Sequence, residues 1–143
     1  GLGDVYKRQA VMCLTLLTSE HGLEHAMSAY HPNLPHGAGL IMISKAYFSY
    51  FIRNHGCDDR FIELARLLGK ADADKPEDFI TALTELQEAC GVADLKMSDY
   101  GIMPSEFETL MRNTREVMGI MFTSDRVQMS DQDIVNIFAE SYK

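Results

Sequence analysis

Residues 19–39, SEHGLEHAMSAYHPNLPHGAG, constrain the fold more than any other stretch of this chain. They continue an apolar run that begins at Ala10, and residues 10–30 hold no proline and a single internal glycine, so that span reads as one helix. Val11, Met12, Leu14, Leu16 and Leu17 cover more than one face, the pattern of a helix buried nearly all round. The polar residues gather instead at Ser19, Glu20, His21, Glu24 and His25. Polar groups in a buried helix are costly unless they are partnered, so two polar turns at this point indicate a site. Pro32 and Pro35 then end the helix and bracket a loop, and a second apolar helix begins just after His36.

The remaining chain repeats the helical pattern. Residues 37–54 read as an aromatic-rich helix with small Gly37, Ala38 and Gly39 at its entry, where they let the backbone approach a neighbour or a ligand, and with Gly56 as its C-cap. Asp58 and Asp59 open a third helix. Its Phe61, Ile62, Leu64, Ala65, Leu67 and Leu68 recur at helical spacing until Gly69 stops it. After a polar loop at 70–75, Pro76 suits the first position of a fourth helix, with Glu77 and Asp78 at its positive end and Gly91 beyond its close. A fifth helix opens at Pro104-Ser105-Glu106. A last one is capped by Ser130 and Asp133 and carries Ile134, Ile137 and Phe138. Six helices without a convincing strand pair, internal repeat or low-complexity tract predict an all-α, bundle-like domain. Within it, Tyr47, Phe48, Tyr50 and Phe51 are expected in the core or at a subunit contact, which leaves room for a homo-oligomer.

Composition excludes several function classes. The chain of 143 residues carries a net charge of -8 with no basic stripe to neutralise phosphates, so no nucleic-acid partner is expected. No apolar run reaches the roughly 18 residues a membrane span needs, and no signal peptide is recognisable. Cys13, Cys57 and Cys90 are widely spaced and odd in number, which reads as reduced thiols of a cytoplasmic protein. Residues 1–9 contain Asp4-Val5-Tyr6-Lys7-Arg8-Gln9, which resembles translated sequencing-adaptor DNA, and are set aside as a scar. With no initiator Met and the apolar pattern already running at Ala10, residues 10–143 are expected to be a fragment whose N-terminal portion is missing.

The chemistry lies in three histidines. His21 and His25 stand four apart and share a helix face, and His36 follows across the proline loop. Neutral imidazole is a good ligand for Fe(II), Zn or Ni, so the trio points to a divalent metal without naming it. Glu24 or Ser19 could orient these rings from behind. His31 and His55 read as ordinary loop or helix-end residues. The letters also admit a second reading, because His21-Gly22-Leu23-Glu24-His25 is a literal H-x-x-E-H. In zinc metallopeptidases of that signature the Glu is the general base, and Glu106 or Glu108 would be a distant third ligand. Such peptidases need a mixed α/β scaffold, and the reading leaves Pro35-His36-Gly37 unused. A third reading is a non-catalytic helical interaction domain in which the histidine cluster is fortuitous.

His21-x-x-x-His25 followed by Pro35-His36-Gly37 at the mouth of an apolar helix resembles the C-terminal helical domain of the iron-containing alcohol dehydrogenase family. A loop around Tyr100-Gly101-Ile102 and a closing helix entered from Ser130-Asp131-Gln132-Asp133-Ile134 agree more loosely. The resemblance implies a preceding dinucleotide-binding domain, a metal in the cleft between the two domains, and His21 and His36 as two of its ligands. It implies that His25 binds no metal but sits beside nicotinamide and substrate, as a catalytic and cofactor-contacting residue. It also implies Fe(2+) (Zn or another divalent ion being acceptable), NAD or NADP held mainly by the missing domain, and hydride exchange with a small alcohol, aldehyde or ketone. The fragment alone would not turn over, since the family's other two ligands, an Asp and a His, have no counterpart here. Two departures are visible: the His25-to-His36 interval is one residue longer than the commonest spacing, and Leu40-Ile41-Met42-Ile43-Ser44 stands where many members have Leu-Pro.

Overall fold

The computed structural model describes residues 17–143, so residues 1–16, those set aside at 1–9 among them, lie outside it. The single helix expected over 10–30 is not continuous, because Leu17 and Thr18 are non-helical, Thr18 is extended, and the described helix begins at Ser19. Six α-helices run in order: α1 (Ser19–Tyr30), α2 (His36–Arg53), α3 (Asp58–Leu67), α4 (Asp78–Ala89), α5 (Phe107–Met118) and α6 (Asp131–Ser141). Short 3-10 turns at Met97–Tyr100, Pro104–Glu106 and Gly119–Ser124 join the later ones, and no strand occurs among the described residues. The all-α architecture is as expected.

Helix ends follow from local sequence. At α6, Ser130 Oγ accepts the Asp133 N–H at 3.2 Å, and Asp133 Oδ2 accepts the Ser130 N–H at 2.8 Å, a reciprocal cap. Ser130→Ala is therefore expected to cost about 1 kcal/mol, read from the urea midpoint at unchanged m-value. Gly69 and Gly91 adopt left-handed backbone one residue past the C-caps of α3 and α4. In each, two N–H groups reach back to the orphaned carbonyls of the last turn. At α2 the expectation fails in one respect. The left-handed residue is His55 (φ 53°), one before Gly56, and it is tied by Nδ1 to Asp58 Oδ2 at 2.7 Å. Gly56 is needed for space instead: a Cβ there would stand 2.9 Å from Val127 Cγ2. Pro76 likewise lies two residues before the first residue of α4. It and Glu77 form the turn that leads into α4, while the Asp78 carboxylate accepts the N–H groups of Asp74 and Lys75.

Packing centres on α1 and α2, which lie against each other; α1 also packs on α5, and α2 on α6 and α4. Leu23, Met27, Ile43, Leu110, Ile137 and Phe138 are fully buried at their junction. The aromatic cluster on α2 belongs to this core as expected: Tyr47, Tyr50 and Phe51 are buried, and Phe48 meets Phe79 of α4 edge-on at 5.3 Å. The α3–α4 pair extends the core through Phe61 and Phe79. Among the described residues, no helix is long and apolar enough to cross a membrane. The consequence for the site is positional: the polar turns of α1 face the first turn of α2, so His21, Glu24 and His25 come up against His36.

Candidate metal centre

Three imidazoles meet at this corner. The His36 ring lies 5.4 Å, centroid to centroid, from both His21 and His25. The i, i+4 spacing puts the two α1 rings one turn apart, and Pro35 delivers His36 as the first residue of α2. His36 is half exposed at its side chain, whereas Glu24 beneath it is 0% exposed. Glu24 Oε2 is hydrogen-bonded to His36 Nδ1, and Glu24 Oε1 accepts the Ser28 hydroxyl one turn on. Donor atoms of Glu24, His25 and His36 all lie within 4.8 Å of one another.

Close approach of the two helices makes this possible. A Cβ at Gly39 would stand 2.6 Å from Glu24 Cγ and 2.9 Å from Glu24 Oε1, distances real Cβ atoms do not reach. At Gly37 a Cβ would meet nothing within 4 Å. Of the small residues at the entry of α2, Gly39 is thus the one the Glu24 carboxyl requires.

His21 differs from its neighbours. Its Nδ1 is buried and has no hydrogen-bond partner among the described residues. Burial lowers its pKa, and the nearby His36 and His25 lower it further, against an opposing effect of Glu24. All three downward influences and the orphaned nitrogen favour the unprotonated ring, the form that binds metal. The donor atoms that converge are those of His25, His36 and Glu24, with the His21 ring 5.4 Å from His36; this nitrogen-rich set suits a divalent transition metal, so the residues present fit one.

Ser19 does not orient the imidazoles. Its hydroxyl is 3.1 Å from the Tyr47 hydroxyl, and its N–H donates to Asp125 Oδ1 at 3.3 Å. Burial raises the carboxyl pKa of Asp125, and its bonds to Ser19 pull the other way. This tie anchors the start of α1, and so the position of His21, to a residue 106 places away, which nothing in the local sequence signals. His31 and His55 stand apart from the cluster, as expected. His31 lies 3.3 Å from Glu106, and Glu106 also accepts the Met103 N–H, so Glu106 is no third ligand.

Glu20, one residue before His21, borders an apolar groove of about 330 Å³ whose lining includes Leu40, Ile41, Leu83 and Leu86. Burial pushes its pKa up to about 7 from 4.5. Between those values the folded chain holds a proton that the unfolded chain has released, so stability falls as pH rises through that window. Glu20→Gln removes the charge, and its advantage over wild type is expected to grow by on the order of 2 kcal/mol from pH 4.5 to pH 8. Parallel urea titrations at the two pH values check this.

Comparison with known proteins agrees with the all-α fold. A family model described as Fe-containing alcohol dehydrogenase family, C-terminal, matches residues 9–142. No curated protein matches. Among solved structures, an alcohol dehydrogenase from Oenococcus oeni superposes with TM-score 0.76 at 27% identity, over 90% of this chain and 33% of that one. An archaeal halo-thermophilic alcohol dehydrogenase from a Red Sea brine pool gives 0.75 at 23% identity, over 87% of this chain and 32% of the other. A 1,3-propanediol oxidoreductase gives 0.73 at 19% identity, over 88% and 33%. The chain therefore spans about a third of the length of the structures it matches. Since the family match runs over nearly its whole length, this chain belongs to the Fe-containing alcohol dehydrogenase family and corresponds to its C-terminal, helical part.

Proposed function

We propose that this chain is the metal-holding half of an NAD(P)-dependent alcohol dehydrogenase that interconverts small alcohols with aldehydes or ketones. The observation that carries the reading is the convergence of His21 and His25 on His36 in a chain of this family. His21 and His36 would hold Fe(2+), or Zn or another divalent ion, together with ligands from outside this chain. A bound divalent ion supplies Lewis acidity toward the substrate oxygen. His25 lies one turn from His21 and against His36, where it can take up or return the substrate's hydroxyl proton and contact the nicotinamide. Glu24 and Gly39 set the depth at which His36 stands. The nucleotide, NAD or NADP, would be held mainly by a separate domain. The 143-residue chain alone is expected to be inactive, because two imidazoles hold metal weakly and exchangeably. We place the enzyme in the cytoplasm, acting on small molecules without nucleic-acid or membrane partners, and open to homo-oligomer formation.

The H-x-x-E-H peptidase reading loses its general base here. Glu24 is wholly buried, and its carboxyl oxygens are engaged by Ser28 and His36, not turned to solvent as a general base for water would be.

The test is to recover the full-length gene, purify its product, determine bound metal and assay alcohol-dependent reduction of NAD and NADP. Stoichiometric divalent metal with nicotinamide reduction is expected. Absence of reduction across a panel of primary, secondary and diol substrates, in metal-replete protein, would reject the reading.

A further inference from the structure

We propose that Glu24 is a positioning residue: its buried carboxyl holds His36 as the Nδ1–H tautomer and so leaves Nε2 bare as the metal-directed donor. The proposal rests on the reading of His36 as a ligand. Which nitrogen of an imidazole can bind a metal is decided by what the other nitrogen does. Here Nδ1 is the nitrogen that reaches inward, and its partner is an oxygen of a carboxyl group with no exposure to water. A carboxylate can only accept, so the pairing fixes the proton on Nδ1.

Two features show that the carboxyl is built to hold this geometry. Ser28 donates to its other oxygen, so each carboxyl oxygen has a partner that fixes its orientation. Gly39 lets the α2 backbone close onto the carboxyl stem, which prevents Glu24 from swinging aside. In the low-dielectric interior such a hydrogen bond is strengthened and its loss is correspondingly costly. By contrast, the buried Nδ1 of His21 has no such partner among the described residues, so of the two proposed ligands only His36 is held in this way.

The test uses the full chain, 15N-labelled at histidine and free of metal, with tautomers read from two-bond 1H–15N correlations. Wild-type His36 is expected to be almost wholly Nδ1–H. In Glu24→Gln, whose amide can offer either an oxygen or an N–H to Nδ1, the Nε2–H form should rise to a comparable population. Ser28→Ala keeps the His36 bond and should keep the wild-type tautomer. A wild-type His36 found mainly as Nε2–H overturns the proposal without depending on any variant's folding, and so does a tautomer unmoved in folded Glu24→Gln. In the full-length protein, Co(II) or Zn(II) should bind Glu24→Gln about 10- to 100-fold more weakly than wild type. Equal affinity would also overturn the positioning role. If the tautomer follows Glu24 but the full-length protein binds no metal, the ligand reading of His36 fails while the hold on its ring stands. If metal binds and the tautomer does not follow Glu24, the positioning fails and the ligand reading stands.

Discussion

Gly39→Ala is expected to destabilise the chain by about 1–3 kcal/mol and to dislodge His36 from Glu24. The added methyl would meet Glu24 Cγ at 2.6 Å, and that atom is in the stem of the side chain, not at its tip. The stem cannot yield, because the carboxyl beyond it is fastened by Ser28 and His36 and the side chain is enclosed on all sides. Relief must come from α2 sliding away from α1, which separates the imidazoles that these helices bring together. Gly37→Ala is the matched control. It lies one half-turn earlier in the same helix, its Cβ would meet nothing, and replacing a helical glycine by alanine should be neutral or gain up to ~1 kcal/mol. Urea denaturation of the pair at constant m-value measures the difference. Equal stability of the two variants would contradict the close approach on which the site depends.

The second large effect concerns the metal. In the full-length protein, His36→Ala and His21→Ala should each lower bound metal from stoichiometric to below about a tenth, and nicotinamide reduction with it, since a site that loses one imidazole ligand loses most of its affinity. Folding should survive in both. His36 is half exposed, so its removal leaves no large cavity, and the carboxyl it abandons still keeps the Ser28 hydroxyl at a cost of about 1–3 kcal/mol. His31→Ala and His55→Ala, whose rings pair with Glu106 and Asp58 away from the cluster, should keep the metal. Metal content by elemental analysis beside far-UV circular dichroism separates loss of site from loss of fold.

Most of the fold was legible in the sequence because its signals are local. The period of apolar residues marks each described helix. Gly69, Gly91 and Ser130 mark ends whose backbone hydrogen bonds are satisfied within a few residues. Where the reading slipped, a long-range contact or a neighbouring residue had taken over. Gly56 is glycine because Val127, seventy-one places on, crowds it, and the left-handed position passes to His55. The site divides in the same way. That His21 and His25 share a face follows from their spacing alone, and Pro35 announces where His36 begins a helix. Glu24 and Ser19 are both candidates to orient the rings, but nothing in the spacing selects Glu24, or tells that Gly39 makes room for it while Gly37 does not. Those facts depend on the distance between α1 and α2, which only the packed core sets. The tie from Ser19 to Asp125 was likewise invisible, since the two are brought together by the whole fold.

The central claim is that His21 and His36 together hold a divalent metal. The measurement that tests it most directly is anomalous diffraction from crystals of the full-length protein at the absorption edge of whichever metal elemental analysis finds. A single strong peak about 2.0–2.2 Å from a ring nitrogen of both His21 and His36, with His25 close by but unbound, is the expected result. A metal peak elsewhere with those two rings unliganded, or a metal held by His25 and Glu24 without His21, would contradict it.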